Sequence, residues 1–493
     1  MLLAARGVFP DDAVTVVPCD DDGAAAGEPV ALPGGALARY VARHQDERWA
    51  WPDTATWYPA LVERGVRVLR CHDLRLSRAI LAASGYCRPG VFSAGPAWRQ
   101  GQAHPAARDD AALFDWPGGE ATLGLDEAGR EARLQAEAIR TSAHPGRLRL
   151  LVAAESAGAL AAVEMTWAGI PWRADVHDAM LRRVLGPRPR GRERPALVEK
   201  AAEHLRTVLG TTALNPDSPA ELLAALRRSG LRVDSTSAHT LEGVDTPATR
   251  ALADYRRLAR LWSANGWTWQ DRWVQGGRLH AEYVPGGVVT GRWAGHGGGA
   301  LQLPKKVRPA VVADPGWKLV VADAAQLDPR ILAALADDRA MIAAGAGSDL
   351  YRGIVERGVV PDRRRAKVAM LGAIYGATTG DSARLMPSLA AAFPRAIGLV
   401  EAAAATGRAG GVVTTRLGRT APHPGAAWRQ LQRRAAEPGA SAALAHAARR
   451  QAGDRSRFIR NFVVQGTAAE WALCWLAGTR ARLAGLAPRR DDL

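Results

Sequence analysis

A chain of 493 residues is too long for one ordinary domain and can bury more than one core. Its 65 basic against 49 acidic residues leave a formal charge of +16, a balance suited to a polyanionic partner. Cys19, Cys71, Cys87 and Cys474 contain no C-x-x-C pair, which excludes a disulfide framework, and no apolar run is long enough to span a membrane. The expectation is a soluble, cytoplasmic, nucleoid-associated protein. Arginine supplies nearly all the positive charge, and GC-rich coding alone produces that bias, so charge by itself gives nucleic-acid binding only modest support.

Taken in chain order, residues 1 to about 145 read as a small α/β domain. Apolar segments at Ala13–Val17 and Val66–Leu69 suggest strands, and Leu74–Ala83 suggests a helix. The Gly-, Pro- and Asp-rich stretch Ala94–Gly119 reads as irregular loop, and Glu127–Arg140 as a charged helix. Beyond residue 150 the chain is helix-rich. A helix at Ala174–Leu185 stops at the Pro/Arg linker Gly186–Gly191, and helices return at Leu197–Leu209 and Pro219–Ser229. The last of these follows Asp217-Ser218, with proline at its first turn. Leu252–Trp262 is periodic and carries Arg256, Arg257 and Arg260, either a solvated face or a helix tracking phosphates. His280–Val289 suits strands, Gly295–Gly299 a flexible loop, and the Ala/Arg stretch Ala435–Arg450 one helix.

Two blocks carry chemistry. The apolar run from Trp317 to Val321 reads as a buried strand that delivers Asp323 at its end, before a helix begins. Such an aspartate can hold a divalent metal or cap the next helix. In the second block Arg363, Lys367, Leu371 and Tyr375 recur every four residues, which on a helix stacks cations and an aromatic along one face. No G-x-x-x-x-G-K-[ST] loop is present, so any triphosphate must be met by a basic helix face. An anion at Arg363–Arg365 would also satisfy the charge of a helix start. Near the C-terminus Arg457, Asn461 and Gln465 share a face at four-residue spacing, and amide side chains there can read minor-groove acceptors without choosing sequence.

These blocks resemble the conserved motifs of family A DNA polymerases. Asp323, Gln326, Asp328 and Arg330 fall in register with D-x-S-Q-x-E-x-R. Arg363, Lys367, Leu371, Tyr375 and Gly376 follow R-x-x-x-K-x-x-x-F/Y-x-x-x-Y-G. Thr290-Gly291-Arg292, then Leu301-Gln302 and Pro304, resembles T-G-R-L-S-S…L-Q-N-I-P, and Arg457 to Glu470 resembles R-x-x-x-N-x-x-x-Q-G-T-A-A-D. All occur in the family's order.

The resemblance implies an α/β (α+β) chain: a degenerate RNase H-like exonuclease domain over 1–145, then a right-hand polymerase domain of thumb, palm and fingers over 146–493. It implies template-directed addition of deoxynucleotides to a primer 3′-OH by a monomer, using Mg²⁺ held at Asp323, with primer–template DNA and dNTPs as partners. Arg363 and Lys367 would meet the triphosphate and Tyr375 the insertion pocket. Gln326, Asp328, Leu371 and Gly376 would line the substrate site, and Arg292, Arg457, Asn461 and Gln465 the DNA. Two positions depart from the pattern. Leu371 replaces an aromatic that packs on the incoming sugar, and Asp328 replaces a glutamate that excludes a ribose 2′-OH. The N-terminal region shows no D-x-E metal pair, so proofreading is expected to be absent. The family's H-D-E motif would fall just beyond Leu493, and Asp491 and Asp492 lack its histidine. The expectation for the chain as it stands is therefore DNA binding with poor nucleotide addition. The alternative reading is a primer–template-binding protein without catalysis.

Overall fold

The computed structural model describes residues 1–6, 14–33, 35–92, 123–191, 193–241, 243–347, 349–377 and 380–485. Two compact units make up this chain, one of residues 1–167, 283–294 and 322–493, the other of residues 168–282 and 295–321.

The first unit begins with a five-stranded sheet: β1 (Leu2–Arg6), β2 (Val14–Pro18), β3 (Val30–Leu32), β4 (Arg48–Trp51) and β5 (Arg70–Asp73), in the order β3-β2-β1-β4-β5. β1 runs antiparallel to β2 and parallel to β4, and β5 continues parallel to β4. Strand alternation sends Leu2, Ala4, Val16 and Trp49 into one core, which also takes Leu160. Leu3, Ala5, Val17 and Ala50 enter a second core closed by Leu74, Ala128 and Ala132. Both faces are thus covered, which is why β1 is apolar at successive positions. The helix Leu74–Ala83 is where the periodicity puts it, capped by Asp73, which accepts from Leu76 N at 2.8 Å. The charged helix runs Leu125–Arg140. The strand expected at Val66–Leu69 lies instead at Arg70–Asp73. Val66 and Val68 are buried in extended loop, and Val68 N donates to the Tyr58 hydroxyl at 3.2 Å rather than to a ladder. The loop expected at Ala94–Gly119 falls outside the described residues.

The rest of this unit is helical. Leu332, Ile354, Met370, Ile374, Phe393 and Val464 share one core, and a 43-residue helix, Ala442–Ala484, forms its spine. The continuous helix expected over Ala435–Arg450 is broken. The helix Ala426–Ala435 ends before Pro438-Gly439, with Gly439 at φ +82°, and Ser441 caps the long helix by accepting from Leu444 N at 3.2 Å. The sheet is tied to this spine: Glu164 accepts from Tyr58 Oη at 2.6 Å and from Arg480 at 2.7 and 2.9 Å. Ser84 Oγ also donates to the Gly418 carbonyl at 2.6 Å.

In the second unit the helices Ala174–Leu185, Ala196–Val208, Pro219–Arg228 and Pro247–Asn265 surround Leu181, Leu205, Leu226, Leu252 and Tyr255. Ser218 caps the third, accepting from Glu221 N at 3.3 Å, with Pro219 at its first position. Arg256 bonds the Thr236 carbonyl and Arg257 pairs with Asp254 at 3.0 Å, so two of the three arginines on this face, expected either to be solvated or to track phosphates, already have partners. The buried strand expected from Trp317 to Val321 is not formed. Val320 and Val321 are 92% and 91% exposed, and no described strand pairs with the segment. Strand propensity is realised only against neighbours, and without a ladder the apolar run has no face to bury. Glu282–Val284 is the only strand within the expected 280–289 region among the described residues, and the Gly295–Gly299 segment is partly extended, as Ala294–Gly297.

Candidate active site

The site is built around the bend that leads into the helix Leu327–Ala336. Gln326 takes a left-handed backbone (φ 50°), a strain of roughly 1–2 kcal/mol for a side-chain-bearing residue. Its side chain explains how the strain is held: Gln326 Oε1 accepts from Leu350 N at 3.1 Å. Arg330, one helical turn on, donates to the carbonyls of Ala325, Gly345 and Gly347 at 3.0, 2.6 and 3.0 Å. Gln326 and Arg330 therefore lock the bend to the 345–350 loop.

Asp328, in the first turn after the bend, is where three motifs meet. Arg292 Nη2 donates to both its oxygens at 3.0 and 3.1 Å, and Tyr375 Oη donates to Oδ2 at 3.4 Å. The carboxylate is largely enclosed, whereas the Arg292 and Tyr375 side chains reach the surface. An apolar pocket of about 260 Å³ opens beside Arg292, walled by Trp293, Leu327, Ala469 and Leu473.

Tyr375 closes the helix Arg363–Tyr375, capped at its start by Asp362, which accepts from Arg365 N at 2.8 Å. Arg363 Nε donates to Asp349 at 2.6 Å, and its guanidinium lies 5.6 Å from the centre of the Tyr351 ring. That bond holds the Asp349 carboxyl below the usual aspartate range. Lys367, one turn on, is exposed and makes no ion pair among the described residues. Leu371 is half-buried on the same face. Gly376 ends the helix at φ +75°, and a Cβ there would fall 3.0 Å from Arg457 Cγ. The motif thus ends in glycine for two reasons, the left-handed stop and the passage of Arg457. On the long helix Arg457 pairs with Asp454, Asn461 Oδ1 is buried without a donor among the described residues, and Gln465 is half-buried.

Asp323 stands apart from this assembly, exposed in an irregular segment. Among the described residues no group of three or more His, Cys, Asp or Glu is placed to hold a metal ion. In the N-terminal sheet, Cys71 and Asp73 point inward, while His72 points the other way and bonds Gln135 at 2.7 Å. The three do not converge. Asp20 Oδ1 accepts from Asp22 N and Ala24 N at 3.0 and 2.8 Å, so the acidic run there folds a turn.

Two buried carboxylates support the site: Glu155, which none of the motifs includes, and Glu470, which ends the Arg457–Glu470 motif. Glu155, 1% exposed, accepts from Arg419 Nη2 at 2.7 Å, and the Arg419 guanidinium lies under Gly291, where a Cβ would sit 2.5 Å from Nε. Glu470 accepts from Leu417 N at 2.8 Å and from Thr415 Oγ1, folding the 415–419 turn onto the long helix. Burial pushes both carboxyls up. Glu470 thus holds the 415–419 turn, and Glu155 holds Arg419 beneath Gly291, the residue before Arg292. The available signal was a lone glutamate inside the apolar run Val152–Ala162, a position that demands a partner.

These features define a class. Residues 192–487 match the model of DNA polymerase family A, which is more than half of the chain, and the chain belongs to that family. DNA polymerase I of Chloroflexus aurantiacus is 31% identical over 290 residues, covering 52% of this chain and 28% of that protein. The thermostable DNA polymerase I of Thermus aquaticus is 28% identical over 272 residues, 48% of this chain and 30% of the relative. The chain thus matches less than a third of the length of these curated relatives. Among solved structures, the POL domain of Pol1 from M. smegmatis, in complex with DNA primer-template and dNTP, aligns with a TM-score of 0.62 at 19% identity, over 98% of this chain and 86% of that one. That likeness is one of fold, and it agrees with the mixed helix and strand architecture described above. No helix among the described residues is long and apolar enough to cross a membrane.

Proposed function

We propose that the chain performs template-directed addition of deoxynucleotides to a primer 3′-OH, as a nucleoid-associated monomer. The observation that carries this reading is the junction at Asp328, where Arg292, the bend after Asp323 and the Arg363–Tyr375 helix are joined by side-chain bonds. In this reading the exposed Lys367 takes the triphosphate, with Arg363 beside it. Tyr375 closes the insertion pocket, and Leu371 and Gly376 line it. Asp328 sets the sugar gate, Gln326 fixes the bend, and Arg292, Arg457, Asn461 and Gln465 follow the minor groove. Magnesium would be the ion, with Asp323 as its first ligand, and further ligands are needed that the described residues do not bring. We assign residues 1–145 the place of an exonuclease domain without activity and residues 146–493 that of the polymerase domain.

The test is primer extension with each dNTP supplied singly. The nucleotide complementary to the templating base should be added, slowly, and the others not. Addition independent of the template would overturn the reading. The exposed, unpaired segment at Trp317–Val321 favours a second reading, a primer–template clamp that selects a nucleotide without joining it. Its signature is tightening of the DNA complex by the matched dNTP with no extension.

A further inference from the structure

The helices Ala426–Ala435 and Ala442–Ala484 form a hairpin joined by Gln432 Nε2, which donates to the Ala448 carbonyl at 3.0 Å. No residue of the shorter helix is buried. Arg433 and Arg434 on it, and Arg449 and Arg450 on its partner, are exposed and make no ion pair among the described residues. Glu437 and Asp454 are the only carboxylates between His423 and Phe458, and Asp454 is already bonded to Arg457. Four uncompensated guanidinium groups on one hairpin repel one another unless an anion lies across them. Arg449 also continues the helix face of Arg457 and Asn461, two turns before Arg457. Between them stands Gly453, whose added Cβ would meet only Arg457 Nη1, at 3.8 Å. Packing does not demand glycine there, and inside a helix it is unfavourable, so the notch leaves room for a backbone to approach.

At the base of the hairpin lies a pocket of about 360 Å³ lined by His423, Trp428, Gln451, Arg455 and Phe458, among others. The Trp428 indole rests against Gly410, where a Cβ would fall 2.8 Å from the ring. Trp428 Nε1 and Arg455 Nε are buried donors with no acceptor among the described residues. Buried donors are nearly always paired, and the pocket lined by these two residues, with Trp428 and Phe458 as aromatic walls, suits a ligand with acceptors in a flat frame. A nucleobase has both, and its neighbouring phosphates suit the arginines above it.

We propose that this hairpin is a second nucleic-acid site, which takes an unpaired base of single-stranded DNA between Trp428 and Phe458 and the flanking phosphates on Arg433, Arg434, Arg449 and Arg450. In naming that strand as template ahead of the primer end, the inference rests on the function proposed above. The test is binding of the full chain to a labelled single-stranded oligothymidylate and to a blunt duplex. Arg433→Ala/Arg434→Ala should reduce the salt slope on the single strand by about 1.4, near 0.7 for each lost phosphate contact. Trp428→Ala should weaken single-strand binding about tenfold. Blunt-duplex affinity should change less than twofold. Single-strand binding unchanged in the arginine variant, whose side chains are exposed and not needed for folding, would overturn the inference, as would equal losses on the duplex. Displacement of the oligonucleotide by polyglutamate of equal charge would refute the base pocket. Should no form extend a primer while hairpin-dependent single-strand binding persists, the polymerase reading fails and this site stands.

Discussion

Lys367 and Arg363 lie one turn apart on the same helix but are engaged differently. Arg363 is already bonded to Asp349 and stacked on Tyr351, whereas Lys367 has no such anchor. Lys367→Ala should therefore weaken dNTP use by tenfold or more, since a charge-assisted hydrogen bond is worth on the order of 1.5–3 kcal/mol. Arg363→Ala should cost less in nucleotide use, because its guanidinium is already held by Asp349 and Tyr351 rather than free for the phosphates. Nucleotide titration at fixed primer–template separates these effects from DNA affinity, which should hold. Loss of DNA affinity with unchanged nucleotide dependence would refute the assignment. A second residue titrates in a useful range. Burial, with the Asp53 carboxylate beside it, pushes Asp73 up to about 6 from 3.8. A raised folded pKa favours the protonated form, so this contribution is complete below 3.8 and is lost as pH rises through about 6. Relative to Asp73→Asn, the parent chain should lose about 2 kcal/mol between pH 4 and 7. The buried His72, pushed down to about 4, acts the other way in both proteins and cancels in the comparison. Urea unfolding across this range checks it, and parallel pH profiles would contradict it.

The helix Arg363–Tyr375 shows which features sequence makes legible. Its start at Arg363 and its cationic face follow from four-residue spacing, a local property. Its Gly372 was not legible as a packing residue. A Cβ there would sit 1.4 Å from Ser382 Oγ, on a helix whose approach depends on tertiary structure. Gly372→Ala should destabilise the chain by roughly 1–3 kcal/mol, measured by thermal unfolding, with partial recovery in Gly372→Ala/Ser382→Gly. An unchanged melting temperature would mean the two helices separate freely. The strand expected from Trp317 to Val321 failed for the opposite reason. Its composition was read correctly as apolar and β-prone, but strands need partners that composition does not reveal. The Glu155–Arg419 pair joins residues far apart in sequence, and motif spacing carries no trace of it. Arg419→Met would leave Glu155 buried without its cation, at a cost of about 3–5 kcal/mol, and Arg292 should lose its place with it. Normal stability and normal DNA binding in that variant would show that the turn holds itself.

Across the whole molecule, the formal charge of +16 meets a scatter of internal ion pairs, and many arginines are spent on them. The exposed remainder should still make DNA binding largely electrostatic. Affinity for primer–template should fall linearly in log–log form as salt rises, and a flat dependence would exclude counterion release as its source. The central expectation for this molecule is that the template chooses the nucleotide at the junction of Asp328, Tyr375 and the Lys367 face. Its most direct measurement uses a primer lacking the 3′-OH, so that no joining occurs, and follows the affinity of the chain for primer–template as each of the four dNTPs is added. The dNTP complementary to the templating base alone should tighten the complex, and Lys367→Ala should abolish the effect. Equal tightening by all four nucleotides, or by none, would contradict it.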